Sequence, residues 1–139
     1  MKNTGYSRFI TEMQVRPDDI DMNQHVHNSR YFDYVLAARY EQMERCYAFP
    51  MEEFLKHRYG WVVRKAIVDY KRPLGLGDWF SVETGIVTLE NKGCVVSFSI
   101  KSKKTGKECC EGEFHYTMIN TETGRSEVIP EWIIERYSI

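Results

Sequence analysis

Apolar and polar residues alternate at the start of the chain. Phe9, Met13 and Val15, with Thr11 between them, fall on one side, and Arg8, Ile10, Glu12 and Gln14 fall on the other. A period of two is that of a half-buried strand. Pro17-Asp18-Asp19 ends it, because proline cannot continue a hydrogen-bonded ladder and aspartates favour turns. From Asn28 or Ser29, either of which suits an N-cap, to about Tyr47 the period changes to that of a helix. Phe32, Leu36, Tyr40, Met43 and Tyr47 form the apolar side, and Arg30, Asp33, Glu41, Glu44 and Arg45 the polar one. Tyr31, Val35 and Ala38 widen the apolar arc, so more than one surface has to cover this helix.

Pro50 separates the helix from a short helical turn near Met51 to His57, closed by Tyr59-Gly60. Beyond it the chain is β-rich. Trp61 to Tyr70 holds the nearly continuous apolar set Val62, Val63, Ala66, Ile67 and Val68, which predicts a strand central to a sheet or at a subunit interface. Pro73 to Asp78 is a turn, after which Phe80, Val82, Thr84 and Ile86 alternate with Ser81, Glu83 and Gly85. Cys94, Val96, Phe98 and Ile100 alternate with Ser97, Ser99 and Lys101, and Gly106 marks a hairpin turn. Cys110, Phe114, Tyr116 and Met118 then oppose Glu111, Glu113, His115 and Thr117, and a short helix is predicted from Glu131 to Tyr137. Strand, long helix and four strands in hairpin succession predict an α+β fold, an antiparallel sheet wrapped around one central helix.

Composition narrows the picture. A length of 139 residues is that of one domain, taken as residues 1–139, large enough to bury a real core. With 19 basic and 20 acidic residues the net charge is -1, which gives no bulk attraction to nucleic acid or to an anionic membrane. The segment from Met1 to Arg8 lacks the apolar stretch of a signal peptide, and no run approaches a membrane span, so the expectation is a soluble cytoplasmic protein. Cys46, Cys94, Cys109 and Cys110 show no zinc-site spacing and are expected to be reduced. Cys109 and Cys110 are neighbours on a strand and so face opposite sides.

The densest chemistry lies in Asp21-Met22-Asn23-Gln24-His25-Val26-His27-Asn28, just before the long helix. The first amides of a helix lack intrahelical acceptors and the helix dipole adds positive potential there, so a docked carbonyl would be polarised and an oxyanion stabilised, with the amides of Val26 to Ser29 as donors. Asp21 can attack a carbonyl or take a proton from water, Asn23 can hold water or substrate, and His25 can transfer a proton near neutral pH. Asp and Asn are also ordinary turn residues, and His27 suits a structural role. His25 and His27 could ligate a metal, but no third ligand is evident.

Asp19 to Asn28, continuing to Tyr31, resembles the Asp-x-Asn-x-His-Val-Asn-Asn stretch of plant-type acyl-ACP thioesterases. From about Phe9 to Ile129 the chain is similar to single-domain hotdog thioesterases of the 4-hydroxybenzoyl-CoA and YbgC-like type. Tyr70-Lys71-Arg72-Pro73-Leu74 followed by Gly77-Asp78 is similar to that family's turn between its second and third strands. The resemblance implies a single hotdog domain that hydrolyses acyl-CoA or acyl-ACP without metal or redox cofactor. Asp21 falls on the essential aspartate, and Asn23 and His25 on the Asn and His of the acyl-ACP enzymes. The hydroxybenzoyl type does not match those two, and His27 stands where the plant pattern has Asn.

The resemblance further implies a homodimer or homotetramer with sites at subunit interfaces. Val26, His27, Asn28, Ser29 and Tyr31 would contact substrate, Tyr31, Phe32 and Tyr34 are candidate pocket walls, and Arg72 is a cation for the CoA end among several available (Arg64, Lys65, Lys71, Lys101 to Lys107). Two rival readings use the same fold: a 3-hydroxyacyl thioester dehydratase, and a domain that binds acyl-CoA without turnover.

Overall fold

The computed structural model describes residues 6–138. Residues 1–5, which carry most of the segment judged for a signal peptide, and residue 139 of the expected 1–139 domain lie outside the described part. Strand β1 spans Arg8–Gln14, and helix α1 spans Asn28–Arg45 after a single 3-10 turn at Pro17–Asp19. Helix α2 spans Met51–Lys56, followed by β2 (Tyr59–Tyr70), β3 (Trp79–Leu89), β4 (Gly93–Ser102), β5 (Glu108–Asn120) and helix α3 (Glu131–Tyr137). The five strands form one antiparallel sheet in the order β1-β3-β4-β5-β2.

That order corrects the expected hairpin succession. The second strand does not pair with the third; β2 pairs with β5 at the far edge, and the chain crosses from there to β3. The connection Lys71–Asp78 does more than turn. Lys71 and Arg72 amides both bond the Cys109 carbonyl, Leu74 is fully buried, and Asp78 closes the segment by accepting from the Gly75 amide at 2.8 Å. Anchored in this way, it underlies the N-terminus of α1. The edge position also leaves Val62, Ile67 and Tyr70 of β2 exposed. Gly112 lets β2 approach β5, since a Cβ there would lie 1.9 Å from the Ile67 carbonyl oxygen.

Helix α1 begins where expected, but its cap is His27, which makes no side-chain bond; Asn28 and Ser29 are already inside the helix. The buried face is also rotated from the predicted one. Tyr31, Tyr34, Val35, Ala38, Arg39, Gln42 and Met43 are buried, whereas Leu36 and Tyr40 are exposed. The sheet covers the stripe centred on Val35, Ala38 and Gln42, and the Gln42 amide is satisfied by Thr11 Oγ1 at 2.9 Å and the Phe9 carbonyl at 3.3 Å. A polar residue with bonded partners can therefore take the place of an apolar one.

The core divides along α1. One cluster, near its N-terminus, includes Val26, Tyr31, Val35, Leu74, Phe98 and Phe114; the other, at the far end, includes Met43, Phe54, Val96, Met118 and Ile133 with α2 and α3. Burying each large apolar side chain stabilises the fold by roughly 1.5–3 kcal/mol. Cys109 and Cys110 are both buried in the first cluster, against the expectation of opposite faces. An irregularity between Ile100 and Lys101 pairs Ile100 with Cys110 and Lys101 with Glu108, so Cys109 is the extra residue of a bulge. All four thiols are free.

Candidate active site

The loop before α1 is built around Asp21. Its amide donates to the His25 carbonyl at 2.8 Å, and its carbonyl accepts from the Gln24 amide at 3.0 Å. Its Oδ1 accepts from the amides of Asn23 at 2.9 Å and His25 at 3.1 Å. Gln24 holds φ at 63°, a left-handed conformation that a residue with a side chain adopts only where the surroundings enforce it. The loop is then clipped to the β2–β3 connection: the Val26 amide donates to the Leu74 carbonyl at 2.9 Å, and the Leu74 amide donates to the Tyr31 hydroxyl at 3.1 Å. From behind, buried Asp19 accepts from the Tyr34 hydroxyl at 2.6 Å and lies 3.5 Å from Arg30 Nε, while its carbonyl accepts from the His27 amide at 3.0 Å. Burial, and then the bond to Asp19, push the Tyr34 phenol well above its ordinary value.

These bonds decide which amides can serve a ligand. Val26 and His27, expected as donors, are already committed to Leu74 and Asp19. Asn28 and Ser29 occupy the first turn of α1 and find no acceptor among the described residues, so the donors are those two. The Asp21 pKa is lowered, chiefly by the His25 amide; slight burial opposes this, and the Asn23 amide and the two histidines add to it. Asp21 is therefore an anion throughout the neutral range. Its Oδ2 makes no bond among the described residues.

A concavity of about 290 Å³ opens here, lined by Asp21, His25, Val26, Asn28, Tyr31, Tyr70, Lys71, Arg72 and Pro73. Of the expected site residues it gathers Asp21, His25, Val26, Asn28, Tyr31 and Arg72. Asn23, His27 and Ser29 are exposed and do not line it. Phe32 and Tyr34, candidate walls, pack instead against Phe114 and Phe80.

Tyr70, the end of β2 and the first residue of the Tyr70-Lys71-Arg72-Pro73-Leu74 stretch, also lines the concavity, and its hydroxyl donates to the Asn28 carbonyl at 3.2 Å. Its place beside the Lys71-Arg72-Pro73 turn was the available signal. The two cations there differ. Lys71 Nζ is held by Glu108 at 2.8 Å and Glu111 at 3.2 Å, whereas Arg72 donates only to the Glu108 carbonyl, at 2.9 Å, and has no carboxylate partner among the described residues. Arg72 is the cation left for an anionic ligand.

The chain is similar to known proteins along most of its length. Residues 15–137 match the family described as the thioesterase-like superfamily. The long-chain acyl-CoA thioesterase FadM of Escherichia coli (strain K12) is 25% identical over 116 residues, which cover 84% of this chain and 86% of that protein. A 1,4-dihydroxy-2-naphthoyl-CoA (DHNA-CoA) thioesterase from Staphylococcus aureus shares the fold with a TM-score of 0.86 at 21% identity, covering 94% of this chain and 89% of that one. A second Staphylococcus aureus protein, solved in complex with CoA, gives a TM-score of 0.84 at 20% identity over 98% of this chain and 85% of its own. The antiparallel sheet with its one long helix is the hotdog fold expected from the sequence.

Proposed function

The chain belongs to the thioesterase-like superfamily, and from that premise we propose that it hydrolyses acyl-CoA thioesters through Asp21. The observation that carries this reading is the meeting of three features at one concavity: an ionised carboxylate with a free Oδ2, the unclaimed amide of Asn28 in its wall with that of Ser29 next along the helix, and a guanidinium with no carboxylate partner among the described residues. The thioester carbonyl oxygen sits against the Asn28 and Ser29 amides, where the dipole of an 18-residue helix favours the charge that develops during attack. Asp21 Oδ2 faces the carbonyl carbon, directly or through a water whose proton it takes. The tetrahedral intermediate collapses by breaking the C–S bond, and the thiol leaves with a proton from His25; on the direct route this gives an acyl anhydride with Asp21, which water then hydrolyses to the free acid and the restored carboxylate. Arg72 receives a phosphate of the carrier.

CoA is preferred here over acyl carrier protein because the similar proteins with named substrates act on CoA thioesters, and one was solved with CoA bound. Two copies of the chain are proposed to meet along the exposed edge of β2. That edge runs into Tyr70, Lys71 and Arg72, so the partner would stand beside the site. The test is thiol release from a panel of short, long, branched and aromatic acyl-CoAs, with matched acyl carrier protein substrates alongside. Free thiol from CoA substrates, lost in a folded Asp21→Ala variant, is the expected result. Wild-type rates in that variant would sink the mechanism, and water loss or tight binding without thiol release would turn the reading to the dehydratase or the binding domain.

A further inference from the structure

A second cavity of about 310 Å³ lies further along α1, walled by apolar groups that include Met43, Trp61, Val96, Tyr116 and Tyr137. Arg39 is set into that wall. It is 7% exposed, and it is the one basic side chain among the cavity-lining residues.

The Arg39 guanidinium is held by the Thr84 hydroxyl and by the Tyr47 side chain, and by no carboxylate among the described residues. Nη1 donates to Thr84 Oγ1 at 3.0 Å; Thr84 donates in turn to Gln42 Oε1, and Gln42 is held by Thr11 and the Phe9 carbonyl. Its carbon lies 5.4 Å from the centre of the Tyr47 ring. A guanidinium carries five N–H donors and does not lose its proton in proteins, so most of this donor capacity is unspent. No carboxylate among the described residues lies within ion-pair distance of it. Glu52 stands near the mouth but is bonded to Tyr40 and does not line the cavity.

The acidic groups that face Arg39 do not neutralise it. Burial pushes the Cys94 thiol and the Tyr116 phenol up to about 12 each, and burial likewise raises Tyr137. All three are neutral at physiological pH. A buried cation without a counter-charge is destabilising by comparison with an apolar side chain in its place. Thr84 and the Tyr47 ring offset part of that cost, and the charge itself stays without a counter-ion among the described residues.

We propose that this cavity binds an apolar chain ending in a carboxylate, with the carboxylate paired to Arg39. The volume corresponds to about ten non-hydrogen atoms, taking roughly 30 Å³ for a water-sized group. A medium-length chain of about eight carbons fills it. Such a ligand has two sources. One is the far end of the acyl group of a thioester, because Arg39 lies three helical turns from Asn28, about 16 Å along the axis; this version rests on the thioesterase reading above. The other is a free fatty acid, which does not depend on it.

The test begins with binding. Isothermal titration of the intact protein with octanoate and with 1-octanol, repeated on Arg39→Met and Arg39→Lys, is expected to show saturable octanoate binding. Octanol binding should be weaker by about tenfold or more, as should octanoate binding to Arg39→Met, with partial recovery in Arg39→Lys. Melting curves check that the variants fold; because Arg39→Met removes an uncompensated charge, its own melting temperature should not fall, while octanoate should no longer raise it. Absence of saturable binding to the wild type, or equal binding by Arg39→Met, overturns the proposal even if thioesterase activity is intact.

A second measurement separates the sources. Hydrolysis of a CoA thioester whose acyl chain of about fourteen carbons, long enough to cover the distance to Arg39, ends in a carboxylate is compared with that of tetradecanoyl-CoA. A preference for the former that Arg39→Met removes assigns the cavity to the substrate. Octanoate binding through Arg39 with no such preference, or with no hydrolysis at all, assigns it to the free acid.

Discussion

The two concavities along α1 handle charge in opposite ways. At the N-terminus, every ionised group is matched or solvated: Asp21 is held by two amides, Lys71 by two glutamates, and Arg72 stands at the surface with one carbonyl. Three turns along, the wall is largely apolar and its single cation is buried against the Thr84 hydroxyl and the Tyr47 ring, with no carboxylate among the described residues. The first arrangement suits a reaction in which charge develops and dissipates at a water-accessible carbonyl. The second suits selection, since a buried cation rejects an apolar tail and rewards an anionic one. On the two readings proposed above, one helix presents chemistry at its end and specificity along its side, and each is to be disturbed without touching the other.

The largest effect is expected at Asp21. Asp21→Ala should lower kcat by about 10²–10⁴-fold, the range for removal of a positioned acid–base or nucleophilic group, with a melting curve that shows the fold retained and a modest loss of stability from the Asn23 and His25 amides that Oδ1 holds. Single-turnover hydrolysis in ¹⁸O-water sharpens the role: label appearing in the Asp21 side chain marks direct attack, with the anhydride opened at the Asp21 carbonyl, whereas activated water labels the product acid and never the enzyme. If kcat falls as much when Arg39 rather than Asp21 is replaced, the division between chemistry and selection is wrong.

Next is the support behind the loop. Tyr34→Phe removes the hydroxyl bound to buried Asp19 and leaves that carboxylate with the Arg16 amide at 3.3 Å and Arg30 at 3.5 Å, which should lower stability by about 1.5–3 kcal/mol by denaturant melt. The loss should be accompanied by lower thioesterase activity, because Asp19 also holds the His27 amide at the start of α1. Arg72→Ala should come third. It removes an exposed charge-assisted contact to the carrier, so KM for acyl-CoA should rise about tenfold with kcat nearly unchanged.

How much of this was legible follows the same division. The polar loop announces itself, since Asp21, Asn23, His25 and Asn28 are packed into eight residues before a periodic helix, and the strands beyond show their alternation plainly. Two things were hidden. Strand pairing is set by long-range packing, so the crossover from β2 to β3 could not be read from neighbouring strands, and Leu74, which anchors it, looked like part of a turn. The buried face of α1 was assigned by apolarity, yet Gln42 and Arg39 lie within it, bonded to Thr11 and Thr84 on other strands. Apolar periodicity cannot find a buried polar residue whose partners are distant in sequence. The Arg39 cavity was invisible for that reason, and the Asn28 and Ser29 amides could be separated from those of Val26 and His27 only by following each donor to its acceptor.

The smallest effect is a pH dependence, and it bears most directly on Asp21. The folded pKa of Asp21 lies below its ordinary 3.8, because the His25 amide, against slight burial, and the Asn23 amide bond the charged form. A depressed carboxylate pKa means that the active, ionised form is fully present above the ordinary value and is lost only as pH falls through the lower one. Titration of Asp21 therefore contributes no inflection to kcat/KM between about pH 5 and 8, the range in which a histidine titrates. In a His25→Asn variant, which removes the nearby imidazole while leaving its backbone amide on Asp21, the residual rate should be flat across that interval. An acid limb that persists there would mean that the group being protonated is a carboxylate whose pKa is raised. The amide-held Asp21 described here would then not be the group that governs the reaction.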